Sequence, residues 1–92
     1  MKATFKIERP TLARGVRYRW DPVRAEHHLL FPEGMLVLND TGAATVRLCD
    51  GRSLEEIQQT LRLEFGDETS AEEVREFLHR LSSRGLICHA DS

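Results

Sequence analysis

Apolar and charged side chains alternate across Val16-Arg17-Tyr18-Arg19-Trp20, the period-two pattern of a strand with one buried face. Asp21-Pro22 opens a turn, Glu26 to Phe31 reads as the return strand, and Pro32-Glu33-Gly34 makes a second tight turn into Met35-Leu36-Val37-Leu38. Residues 16–38 are therefore expected to form a three-stranded antiparallel meander. Ahead of it, residues 1–15 read as an irregular basic lead, with Arg9-Pro10 holding the backbone extended and Gly15 supplying a bend.

From Asn39 onward the period becomes helical. Asn39, Asp40 or Thr41 can cap a first, short helix whose apolar positions are Ala44, Val46, Leu48 and Cys49, and Asp50-Gly51 offers a stop. Gly42 falls in its first turn, where glycine costs less than the about 1 kcal/mol it loses to alanine in a helix interior. Ser53 and Glu56 have capping-box spacing for a second helix, which lines Leu54, Ile57, Leu61 and Phe65 along one face before Gly66. Ser70 and Glu73 repeat the device for a third, which buries Val74, Phe77, Leu78 and Leu81 and ends at Gly85. Leu86-Ile87-Cys88 is a short apolar tail returning to the core, so residues 39–88 hold three helices and a tail.

Strands and helices are segregated in the order β-β-β-α-α-α, which predicts an α+β domain of winged-helix-like outline. At 92 residues, with 40% hydrophobic and 30% charged content, residues 1–92 make one domain with a single modest core. A deep, enclosed active site would be hard to support at this size. The N-terminus lacks the apolar run of a signal peptide, and no stretch approaches a membrane span, so a cytoplasmic location is expected. Cys49 and Cys88 are too few for a disulfide framework and are expected as buried free thiols.

A net charge of −2 hides an asymmetry. Residues 1–24 carry seven basic and two acidic side chains, a net +5, while the remainder carries six and thirteen, a net −7. Such a dipolar surface can steer an oppositely patterned partner, or it can be a solvated rim around the strands.

No phosphate-cradling Gly-Lys-Ser/Thr loop, Gly-x-Gly-x-x-Gly or Gly-x-Ser-x-Gly is present, and no nucleophile–base set assembles from the sequence. A metal would have to use Cys49, Cys88-His89, His79 and the pair His27-His28, but these lack ligand spacing, and His27 and His28 point to opposite faces of a strand. The winged-helix outline makes a nucleic-acid-binding protein the alternative. In the third helix, however, Glu72, Glu73 and Glu76 offset Arg75, Arg80 and Arg84, a poor match to phosphates. What remains is the sheet edge. Met35 to Leu38 is apolar at every position, which means either cover on both faces or an edge that receives another chain.

Several ordered motifs carry a resemblance over residues 9–88. They are Arg9-Pro10-x-Leu12-Ala13-Arg14-Gly15-Val16, Trp20-Asp21, Leu29-Leu30-Phe31-Pro32-Glu33-Gly34, Leu38-Asn39-x-Thr41, Leu48-Cys49-Asp50-Gly51 and Arg84-Gly85-Leu86-Ile87. Together they closely resemble the PqqD family. The resemblance implies a non-enzymatic peptide chaperone in the synthesis of pyrroloquinoline quinone, which binds the precursor peptide PqqA and associates with the radical S-adenosylmethionine enzyme PqqE. It further implies no cofactor, and a peptide added as a strand beside Met35, Leu36, Val37 and Leu38, with Arg75, Leu78, His79 and Ser82 lining the helix side of the cleft. An edge that accepts a peptide can also accept a second copy of the chain, which leaves a homodimer open.

Overall fold

The computed structural model describes residues 8–66 and 69–89. Its elements run β1 (Pro10–Leu12), β2 (Arg17–Asp21), β3 (Glu26–Phe31), β4 (Gly34–Leu38), α1 (Asp40–Arg47), α2 (Leu54–Phe65), α3 (Ala71–Ser83) and β5 (Ile87–His89). The expected α+β architecture is present: β2, β3 and β4 form an antiparallel sheet in that order, followed by the three helices.

Register explains the alternation read from β2. Tyr18, Leu29 and Leu36 form one cross-strand row, and Arg19, His28 and Val37 the next. The first row turns inward, where Leu29 is fully buried and Tyr18 and Leu36 pack against the core. The second row lies on the outer face, so His27 and His28 do point to opposite sides. His28 is nevertheless buried, with its Nε2 3.0 Å from Glu26 Oε1.

The helices start where the caps predict. Asn39 Oδ1 accepts from the Gly42 N–H at 2.8 Å, and both capping boxes close, Ser53 with Glu56 and Ser70 with Glu73. The first helix is shorter than the apolar positions suggest, ending at Arg47, because Leu48 to Gly51 turn away toward the N-terminal segment: the Gly51 N–H donates to the Pro10 carbonyl. Leu29, Val46, Ile57, Leu61 and Leu78 fill the centre of the core.

Two expectations are corrected. Part of the supposed irregular lead is strand β1, which pairs antiparallel with β5 through Pro10–His89, Thr11–Cys88 and Leu12–Ile87. Three residues show no period, and their partner lies more than seventy positions away, so local pattern could not reveal the pairing. Residues 1–7 of that lead lie outside the described residues. Second, only Cys49 is a buried thiol; Cys88 is exposed, because its neighbour Ile87 takes the buried face of β5 and side chains alternate along a strand.

Candidate functional site

Strand β4 is an edge of the three-stranded sheet. The Pro32-Glu33 turn closes on the Phe31–Gly34 pair, and hydrogen-bonded pairs alternate from a two-residue turn. Leu36 and Leu38 therefore bond inward to β3, while Met35 and Val37 direct their N–H and C=O groups away from the sheet. Their side chains are also exposed on the outer face, Met35 by 45% and Val37 by 57%, whereas Leu38 is buried and Leu36 half-buried on the inner face. The outer face of β4 is therefore uncovered at Met35 and Val37 among the described residues.

The helix side of the site is set by α3. Residues advance about 100° around a helix, so Val74, Leu78 and Leu81 make one buried stripe with a flank on either side. One flank carries Arg75, His79 and Ser82; the other carries Phe77, Arg80 and, at the helix end, Arg84. The second faces the sheet. A Cβ at Gly42 would lie 3.4 Å from Phe77 Cζ and 3.7 Å from Leu38 Cβ, which places the Phe77 ring beside the end of β4. The Arg84 guanidinium lies 5.7 Å from the centroid of Phe31, the residue paired with Gly34 at the other end of β4.

From Phe77 to Arg84 is about 10 Å of helix, and β4 spans about 14 Å, so this flank accompanies the strand for most of its length. Its Leu38 end opens into a hollow of about 370 Å³ lined by Asn39, Thr41, Gly42, Thr45, Phe77 and Arg80 among others.

The predicted helix-side residues are placed differently. Leu78 is fully buried in the core and cannot line a cleft, because it sits at the centre of the apolar stripe. Arg75 and His79 share a hollow with Glu72, Glu76 and Arg80, but no β4 residue lines it, and Ser82 lies on the same flank. Phe31, Phe77 and Arg84, which lie toward the two ends of β4, are not among the site residues the sequence singled out; the one available signal was Phe77 as the largest side chain at the margin of the buried stripe.

Electrostatics tie down the surroundings. Burial opposes ionisation of Asp21, but hydrogen bonds from Arg24 and from the Val23 N–H prevail and hold its carboxyl below the usual range. Two hydrogen bonds from the Arg52 guanidinium keep Asp50 down at about 2, and the same pair raises Arg52. Burial, then the nearby Asp50 charge, pushes the Cys49 thiol up to about 12, which makes it a poor nucleophile.

With this geometry in place, comparison with known proteins is decisive. Residues 26–87 match the family model "Coenzyme PQQ synthesis protein D (PqqD)". The chain belongs to the PqqD family. It is 42% identical over 89 residues to the "PqqA binding protein" of Azotobacter vinelandii, covering 95% of this chain and 97% of that one. The PqqA binding protein of Rhizobium meliloti is 40% identical over 79 residues, covering 83% and 81%. The solution structure of the PqqD truncation of Methylobacterium extorquens PqqCD, described as a functional and stand-alone recognition element for ribosomally synthesized and post-translationally modified peptides, superposes with a TM-score of 0.67. It is 34% identical and covers 87% of this chain and 88% of that one. The α+β arrangement described above is thus the fold of a PqqD recognition element.

Proposed function

We propose that this PqqD-family chain binds the precursor peptide PqqA by strand addition to β4 and presents it to the radical S-adenosylmethionine enzyme PqqE. The observation that carries the reading is the open, uncharged β4 edge, where Met35 and Val37 offer backbone hydrogen-bonding groups and apolar side chains to an incoming chain. The relatives named for PqqA binding match this chain over nearly its whole length, which supports the ligand. In this reading the cleft wall is Phe77 and Arg84 with Phe31 beneath, rather than Arg75, Leu78, His79 and Ser82. The chain acts as a non-catalytic cytoplasmic chaperone with no cofactor of its own, and bond-forming chemistry belongs to the enzyme.

Val37→Pro tests it. Val37 sends its N–H outward, so proline removes a donor for the peptide while sparing the ladder to β3. A folded Val37→Pro variant should lose PqqA binding in calorimetric titration; binding equal to that of the parent would overturn strand addition at β4.

A further inference from the structure

Among the described residues the sheet has a second unpaired edge, β2, of opposite character. By the same alternation, the β2 residues that direct N–H and C=O outward are Tyr18 and Trp20, since Asp21–Glu26 closes the β2–β3 turn. Arg17 and Arg19 project from the outer face and are exposed, and Arg14 lies exposed just before the strand. Neither Arg14, Arg17 nor Arg19 makes a side-chain hydrogen bond or ion pair among the described residues. Three carboxylates on or beside β2 and β3 are engaged elsewhere: Asp21 by Arg24 and the turn backbone, Glu26 by His28, and Asp40 by His27. On the inner side Arg47 lies 5.2 Å from the Tyr18 ring centroid and adds a further cation.

The edge also holds a rigid aromatic anchor. Trp20 is 45% exposed, with its ring centroid 4.9 Å from that of His27. His27 is fixed from both nitrogens, Nδ1 at 2.8 Å from Tyr18 Oη and Nε2 at 3.1 Å from Asp40 Oδ1. Tryptophan and arginine are the side chains that dominate protein interfaces, and Trp20, packed on the fixed His27 ring before contact, loses little freedom on binding.

We propose that β2 is a second docking edge, whose occupant is an extended acidic segment of a partner protein that adds as a strand and sets carboxylates beside Arg17 and Arg19. Charge selects this occupant. A second copy pairing β2 to β2 would set arginines against arginines, which like-charge repulsion disfavours. The surface is independent of β4, on the far side of the sheet, so both edges can be occupied at once.

Trp20 is the only tryptophan of the chain, and its fluorescence therefore reports on this edge alone. The test titrates the full chain with a synthetic peptide of alternating Glu and Thr, with a Lys–Thr peptide and a duplex oligonucleotide in parallel at one ionic strength. Trp20 emission and backbone amide shifts are followed. The Glu–Thr peptide should saturably change Trp20 emission and shift the Arg17–Trp20 amides, and the Lys–Thr peptide should do neither. Arg17→Glu with Arg19→Glu should weaken that binding about tenfold or more, since reversed charges repel across an interface. Arg17→Gln with Arg19→Gln should weaken it less, at an unchanged melting temperature, which guards against a folding artefact. Val37→Pro should leave it intact. The proposal fails if the charge reversal has no effect, if the shifts fall on β4 instead, or if the duplex binds this edge as tightly as the Glu–Thr peptide, in which case the arginines read phosphate.

Discussion

The two flanks of α3 differ little in composition and greatly in surroundings. Arg75, His79 and Ser82 on one side, and Phe77, Arg80 and Arg84 on the other, border the same buried stripe of Val74, Leu78 and Leu81. The second meets the sheet, with Phe77 against Gly42, which also borders Leu38, and Arg84 over Phe31. Helical periodicity fixes which residues are deep, but it is symmetric about the stripe and carries no information on which side a neighbouring strand lies. That is decided by tertiary packing, here by a glycine in α1 that lets an aromatic ring approach.

The largest effect should come from the stripe both flanks share. Leu78→Ala empties a fully buried site and should cost about 2 to 5 kcal/mol in a thermal or denaturant melt. In a domain of this size that is a large fraction of total stability. A cost below about 1 kcal/mol would mean that Leu78 is not central to the core and that the division into flanks is misplaced.

Gly42→Ala comes next and tests the contact that turns Phe77 toward the sheet. In an ordinary helix the change stabilises by up to about 1 kcal/mol. Here the added Cβ would sit 2.9 Å from Asn39 Oδ1 and 3.4 Å from Phe77 Cζ, so both the helix cap and the ring must give way. The sign should reverse, with a loss of about 1 to 3 kcal/mol as for other overpacked sites. A stabilised Gly42→Ala variant would break the comparison at its root.

Much of the fold was legible because its signals are local. Two capping boxes, a tight turn after Phe31 and the alternation of β2 each name their own element, and the structure has them within a residue of where they were expected, Gly34 belonging to β4 rather than to the turn. The β1–β5 pairing was not legible, since three-residue strands have no readable period and join the two ends of the described chain. The site divided in the same way. The apolar run of β4 pointed to the edge, where Met35 and Val37 are exposed. The helix wall depended on the facing of α3, which one residue's spacing cannot supply.

Arg84→Gln should have a smaller effect on the fold and a measurable one on the ligand. Cation–π contacts at exposed sites are worth about 0.5 to 1 kcal/mol, so the melt should shift little. PqqA binding should weaken several-fold, because the guanidinium stands at the turn end of the β4 cleft. Unchanged binding would confine the peptide to the Phe77 end, near the hollow lined by Asn39 and Thr41.

The smallest effect is expected on the flank facing away from β4, and it is the sharpest test of the comparison. Arg75 is exposed, shares its hollow with Glu72 and Glu76, and has no β4 neighbour there. Arg75→Ala should change stability by no more than about 0.5 kcal/mol, as exposed substitutions usually do. Arg75→Glu is the harsher version, adding like charge to an already acidic patch without touching the strand edge. Both should bind PqqA like the parent protein in the same titration that detects the loss in Arg84→Gln. Were Arg75→Glu to weaken PqqA as much as Arg84→Gln does, the peptide would have to reach across the helix to its outer flank, and a cleft bounded by β4 and the Phe77 side could not hold it.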